Sequence, residues 1–166
     1  MDELCARINL VDPDILGLTE IKPKNASWDL TLQEININGY TAFANLSGRG
    51  SVVYVKNCYG AVEYKPKVCS DDIVWCTIKV SRHDTLVVGV GYRSPNSSDQ
   101  QNTLIERSIR SVADCNFRYF MLMGDFNFPE IDWITECIDM PDNHPVHSFL
   151  TCVQDTFLCQ HVYEPT

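Results

Sequence analysis

Three apolar runs of this sequence each end in a side chain that can bind a metal, an anion or a proton: 15–19 runs into Glu20, 86–91 into Tyr92, and 119–124 into Asp125. Polar groups at the ends of buried strands form a rim, where the scaffold is rigid and water has access, and enzymes of mixed sheet and helix place their sites there. If the backbone stays extended past Asp125, period-two alternation puts Asp125 and Asn127 on one face and sends Phe126 to the other. A carboxylate and an amide then aim at one point. Each residue also has a plain structural use. Asp-x-Asn after a strand can be a turn in which Asp accepts backbone amides, Glu20 can be a solvated strand-end carboxylate, and Tyr92 a core tyrosine with its hydroxyl at the edge. His144 and His147, with Cys137 upstream, lack the spacing of a zinc site.

The elements that must position these groups can be read from periodicity. Strand-type runs rich in Val, Ile, Tyr and Trp occupy 15–19, 40–44, 51–56, 73–80, 85–92 and 119–123. Residues 2–10 place Leu4, Ile8 and Val11 at helical spacing, and Pro13 stops that helix because the residue before a proline avoids the helical region. Further helices are expected at 100–113, with Leu104, Ile105, Ile109 and Val112 on one face, and at 146–153. Several strands are apolar on both faces, so both sheet faces must be covered. The strands at 51–56, 73–80 and 85–92 follow one another without a helix and are expected to run antiparallel. The expected fold is α/β, a layered β-sandwich of mixed sheets flanked by helices, in a single domain.

Composition narrows the classes. The 166 residues carry 45% hydrophobic and 21% charged side chains, which excludes a disordered chain. A formal charge of −9 has the wrong sign for a stand-alone nucleic-acid binder. A site that holds a metal through carboxylates is itself acidic, so the charge does not exclude a DNA substrate, but it weakens the case that this chain alone binds one. The eight cysteines contain no CxxC pair, and Cys76 and Cys115 sit where small buried apolar residues would serve. Sequons at Asn25, Asn45 and Asn96 would suit secretion, yet the first ten residues lack the apolar core of a signal peptide. An intracellular protein, nuclear or cytoplasmic and not secreted, is expected. No apolar run approaches the roughly 20 residues of a membrane span, so no membrane partner is expected.

Order and company add what single motifs lack. The run Asp12 to Asn25 containing Glu20, the segment Gly48-Arg49-Gly50 leading into 51–56, the turn Tyr92-Arg93-Ser94-Pro95-Asn96, and Gly124-Asp125-Phe126-Asn127-Phe128-Pro129-Glu130-Ile131-Asp132-Trp133 occur in that order. Together they resemble the endonuclease/exonuclease/phosphatase superfamily, and within it the endonuclease domain of LINE-like non-LTR retrotransposon polyproteins. The resemblance implies a deoxyribonuclease-like fold and a DNA endonuclease that nicks a phosphodiester for reverse transcription. It implies Mg²⁺ or Mn²⁺ bound by Glu20, catalysis by Asp125, Asn127 and Tyr92, and a phosphate contact from Asn96. The implied partners are a DNA substrate and the reverse transcriptase domain of the same polyprotein.

The family domain opens with a strand carrying an Asn and closes with a Leu-Asp-Leu stretch and a Ser-Asp-His motif. This sequence shows neither, and His161 does not match the family histidine. The resemblance therefore implies a partial domain of incomplete fold, weak or inactive in isolation. Two alternatives stand beside it: an inactive fragment or pseudogene product that retains the fold, and a phosphatase-type member of the superfamily. Oligomeric state is not legible.

Overall fold

In a computed structural model of the chain, which describes residues 2–23, 28 and 30–162, two compact units form. The Asn25 sequon and residues 163–166 lie outside the described residues. Met1–Lys65, Asp71–Tyr92 and Phe117–Asp125 make the first unit; Pro66–Ser70, Arg93–Asn116 and Phe126–Thr166 make the second.

The first unit is built around two sheets. β1 (Ile15–Thr19), β2 (Tyr40–Asn45) and β3 (Ser51–Lys56) form an antiparallel sheet in the order β1-β3-β2. β4 (Val62–Glu63), β5 (Ile73–Lys79), β6 (Thr85–Tyr92) and β7 (Tyr119–Asp125) form a mixed sheet in that order. β5 and β6 are antiparallel neighbours as their close succession suggests, while β3 belongs to the other sheet; β6 and β7 run parallel. Parallel partners need a long crossover, which residues 93–118 supply.

Alternation on β3 explains the layering. Val53 and Val55 pack with Val74, Cys76, Ile78, Val88 and Val90 in the core between the sheets. Val52 and Tyr54 point the other way, into a cluster with Ile35, Ile37, Tyr40 and Ile8 of α1 (Asp2–Val11). Both faces of β3 are thus covered. On α1 the buried stripe is shorter than its spacing suggests: Ile8 is buried and Leu4 packs against the cluster, but Val11 is 72% exposed. The helix ends at Val11, and Asp12 after it is left-handed at φ 48°, its amide donating to the Ile8 carbonyl. Proline next in sequence disfavours the helical alternative there.

In the second unit α2 (Asp99–Ala113) packs on α3 (Pro145–Asp155) beside a small hairpin of β8 (Ile131–Asp132) and β9 (Cys137–Ile138). Ser98 and Gln101 form a reciprocal capping box that starts α2. Ile105, Ile109 and Val112 are buried on its inner face, and Val146, Phe149, Leu150 and Cys152 on that of α3. The second fully buried thiol is therefore Cys152, whereas Cys115 is half-buried with its sulfur on the Ser111 carbonyl. Burial pushes the Cys76 thiol up to about 12 and that of Cys152 to about 11. No disulfide forms among the described residues. Among those residues no helix is long and apolar enough to cross a membrane.

Candidate functional site

Glu20 follows directly on β1, and its φ of 55° turns the chain out of the strand. The next two residues dock on the β2–β3 turn: the Ile21 amide donates to the Gly50 carbonyl at 3.4 Å and the Lys22 amide to the Arg49 carbonyl at 2.9 Å. Gly50 is required there, because it adopts φ 75° and a Cβ would stand 2.8 Å from Ile21 Cγ1. The docking fixes Arg49. Its Nε donates to the Lys22 carbonyl at 3.1 Å, and its Nη2 lies 3.0 Å from Glu20 Oε1.

Tyr92 and Asp125 arrive on neighbouring strands. They are register partners in the parallel β6–β7 pair, one position beyond the pair Gly91 and Gly124. Only glycine fits at 124, with φ 135° and a Cβ position 1.8 Å from the Gly91 carbonyl oxygen. β1 crosses the same two strands, since a Cβ on Gly17 would meet Val90 and Met123. This crossing brings the end of β1 to the ends of β6 and β7. The Tyr92 hydroxyl is hydrogen-bonded to the Glu20 carboxylate, which holds the phenol above its ordinary pKa. Burial and the negative charges of Glu20 and Asp125 push the same way, and Arg49 opposes them. Glu20, Arg49 and Asp125 thus surround one phenol.

Asn127 and Asn96 belong to the second unit. The strand ends at Asp125, and Asn127 is left-handed at φ 50°, so period-two alternation does not extend to it. Its amide Nδ2 donates to the Arg93 carbonyl at 2.7 Å. Arg93, only 5% exposed, donates in return to the Asn127 carbonyl at 3.1 Å and the Phe126 carbonyl at 3.3 Å, and from Nε to Asn102 Oδ1 at 2.8 Å. Its guanidinium lies over the Phe128 ring, 3.8 Å from the centroid. Desolvation lowers its pKa while Glu130 counters. Asn96 is exposed in the turn that leads to α2, its amide donating to Ser94 Oγ.

Arg49 and Arg93 are the residues that the motif reading passed over. Arg93 carried a signal, an arginine beside a chemistry-bearing tyrosine in a turn; Arg49 between two glycines looks like an ordinary solvated turn residue. His144 instead caps α3 through Nδ1, and His147 Nε2 meets the Met140 carbonyl at 3.0 Å. Within the second unit a cleft of about 330 Å³ is lined by Lys67, Val68, Arg107, Arg110, Ser111, Asp114 and Cys115. None of the residues singled out for chemistry lines it.

The donor set fits a hard, hydrated cation. Mg²⁺ is commonly held by one or two carboxylates together with water and substrate phosphate, and Glu20 and Asp125 are two carboxylates around one hydroxyl. A closed cage is not offered: among the described residues no group of three His, Cys, Asp or Glu side chains could hold a metal.

Comparison with known proteins supplies the wider context. No curated protein sequence matches the chain. A crystal structure of humanized D. rerio TDP2 is similar over 96% of this chain, with 13% identity and a TM-score of 0.51. An AP endonuclease from Archaeoglobus fulgidus is similar over 78%, with 16% identity and a TM-score of 0.46. The chain spans 63% and 53% of the lengths of those two proteins. The first likeness is one of fold, a mixed α/β arrangement of several sheets with helices. A model of the Endonuclease/Exonuclease/phosphatase family matches residues 1–136. With most of its length matched in this way, the chain belongs to the endonuclease/exonuclease/phosphatase family.

Proposed function

We propose that this chain acts in a metal-dependent phosphodiester hydrolase that nicks DNA, of the kind carried by LINE-like retrotransposon polyproteins. The observation that carries the reading is the meeting of Glu20, Tyr92 and Asp125 at one end of the sandwich, with two carboxylates acting on one phenol. Glu20 is the proposed ligand of Mg²⁺ or Mn²⁺, with Asp125 beside it. Such an ion, when bound, neutralises phosphate charge and the leaving oxyanion. Asp125, exposed at the strand end, orients the attacking water and takes its proton. Tyr92 keeps its proton, and its hydroxyl can turn its hydrogen bond from the Glu20 carboxylate to a phosphate oxygen as charge develops there. Asn127 and Asn96 are the proposed phosphate contacts, and Asn127 also locks its own turn through Arg93.

The retrotransposon assignment rests on the Tyr92 to Asn96 turn and on the run from Phe128 to Trp133. In that setting the nick leaves a 3′-hydroxyl for the reverse transcriptase domain of the same polyprotein, inside the cell. The test is incubation of supercoiled plasmid with the purified chain, with and without Mg²⁺, beside Asp125→Ala and beside a phosphoinositide substrate. Slow Mg²⁺-dependent nicking that disappears in Asp125→Ala is expected. Nicking equal in the variant, or turnover of the phosphoinositide in place of plasmid, overturns the reading.

A further inference from the structure

We propose that Arg49 is an intramolecular counter-cation that competes with the divalent ion for the Glu20 carboxylate and so sets the metal affinity of the site. The inference rests on the reading of Glu20 as a metal ligand and adds a residue that works against it.

Three observations carry it. First, Arg49 Nη2 stands 3.0 Å from Glu20 Oε1, within direct ion-pair distance. Second, the guanidinium is held there. Its Nε donates to the Lys22 carbonyl, and its backbone is tied to the chain after Glu20 by the bonds from the Lys22 amide to Arg49 and from the Ile21 amide to Gly50. Glycine at 50 permits that approach. Third, the carboxylate also accepts from the Tyr92 hydroxyl, a neutral donor. Of the two, only Arg49 repels an arriving cation, by charge and by covering an oxygen lone pair. A divalent ion that takes Glu20 must displace Arg49 or bind beside its charge. A substitution at 49 removes the Nε bond to Lys22 but keeps the two backbone bonds that dock the β2–β3 turn on residues 21 and 22.

The experiment is a Mn²⁺ titration by calorimetry of the wild-type chain, Arg49→Gln, Arg49→Lys and Glu20→Gln, each checked by a thermal melt. Since an exposed ion pair contributes at most about a factor of five, Arg49→Gln is expected to bind Mn²⁺ about fivefold more tightly than wild type. Arg49→Lys keeps the charge and stays within about twofold of wild type on the same scale; Glu20→Gln loses binding. A merely structural Arg49 gives the opposite sign, weaker binding in Arg49→Gln. If Arg49→Gln binds no more tightly while Glu20→Gln loses the ion, the Arg49 proposal falls and the Glu20 reading stands. If Glu20→Gln binds as wild type does, or if neither wild type nor Arg49→Gln binds, both fall. Should Arg49→Gln fail to fold, Mg²⁺ titration of the wild type followed by the arginine Nε–H NMR signal decides. The Arg49 signal is expected to shift as the ion binds, and an unmoved signal with bound Mg²⁺ overturns the proposal.

Discussion

Arg93 and Asn127 exchange hydrogen bonds through their backbones: the Asn127 amide side chain donates to the Arg93 carbonyl at 2.7 Å and the Arg93 guanidinium to the Asn127 carbonyl at 3.1 Å. The two residues close a ring around the turn that follows Asp125. Asn127 needs both its amide and its backbone freedom, since φ is 50° there and asparagine tolerates the left-handed region better than most residues. Asn127→Ala is expected to lose about 1–3 kcal/mol in urea denaturation, from an unpaired carbonyl and a strained backbone. Asn127→Gly relieves the second cost and should recover part of the loss. Equal losses in the two variants would remove backbone strain from the account.

Arg93 itself is buried and forks between two carbonyls and Asn102. Lysine offers no planar fork, so Arg93→Lys keeps the charge yet leaves acceptors unpaired. A loss of about 2–4 kcal/mol is expected, in the range for breaking a buried charged network. A variant within about 0.5 kcal/mol of wild type, the usual range of a surface change, would show that the buried fork is dispensable.

Gly124 and Gly60 make a controlled pair. Both have positive φ, 135° and 56°, but a Cβ on Gly60 meets nothing within 4 Å whereas one on Gly124 falls 1.8 Å from the Gly91 carbonyl oxygen. Gly60→Ala should cost about 1 kcal/mol, the left-handed penalty alone. Gly124→Ala should forbid the β6–β7 pairing that sets Tyr92 beside Asp125, with a loss above about 4 kcal/mol or no folded protein. Soluble yield and urea midpoints of the two variants decide it.

These glycines also show where sequence reading succeeds and where it stops. The apolar runs ending at Glu20, Tyr92 and Asp125 were legible because unbroken apolar stretches leave a local signal whatever their final burial; of the three strands only β6 is buried along most of its length, and β7 leaves Tyr119 and Met121 exposed. Asn127 was legible as a type but not in direction, because one left-handed residue cancels the period-two rule and no local pattern announces it. The pairing of Glu20 with Arg49 links residues 29 positions apart through a hairpin turn that docks only in the folded chain. Nor could spacing separate Cys152 from Cys115, since both lie near apolar positions and only helix packing buries one of them. Val11 had the right helical phase, yet the chain turns away at Asp12 before its face is used.

Tyr54 gives a pH dependence with a defined sign. Its hydroxyl donates to the Ile35 carbonyl at 2.7 Å, and burial first, then the nearby Cys5 thiol, pushes its pKa up to about 12 from 10.0. The folded state favours the neutral phenol. Its contribution is therefore complete below the unfolded value near 10 and is lost as pH rises through about 12. Tyr54→Phe should cost about 1 kcal/mol at neutral pH through the unpaired carbonyl, and should flatten the alkaline decline of stability. Urea midpoints across the alkaline range test it, and a variant whose decline is as steep as wild type assigns the alkaline loss to another group.

Tyr92→Phe separates chemistry from folding at the candidate site. The ring stays in β6, and the lost hydroxyl served a Glu20 carboxylate that is 40% exposed, so water replaces it. Stability should stay within about 0.5 kcal/mol of wild type. The Mg²⁺-dependent nicking rate should fall about a hundredfold, the usual effect of removing one donor aimed at a developing oxyanion. Under the same reading Mn²⁺ affinity changes little, because the phenol is neutral and Glu20 keeps its charge. A variant that nicks at the wild-type rate takes Tyr92 off the phosphate and leaves it as a strand-end tyrosine; one that loses Mn²⁺ with its activity makes it a positioning residue for Glu20.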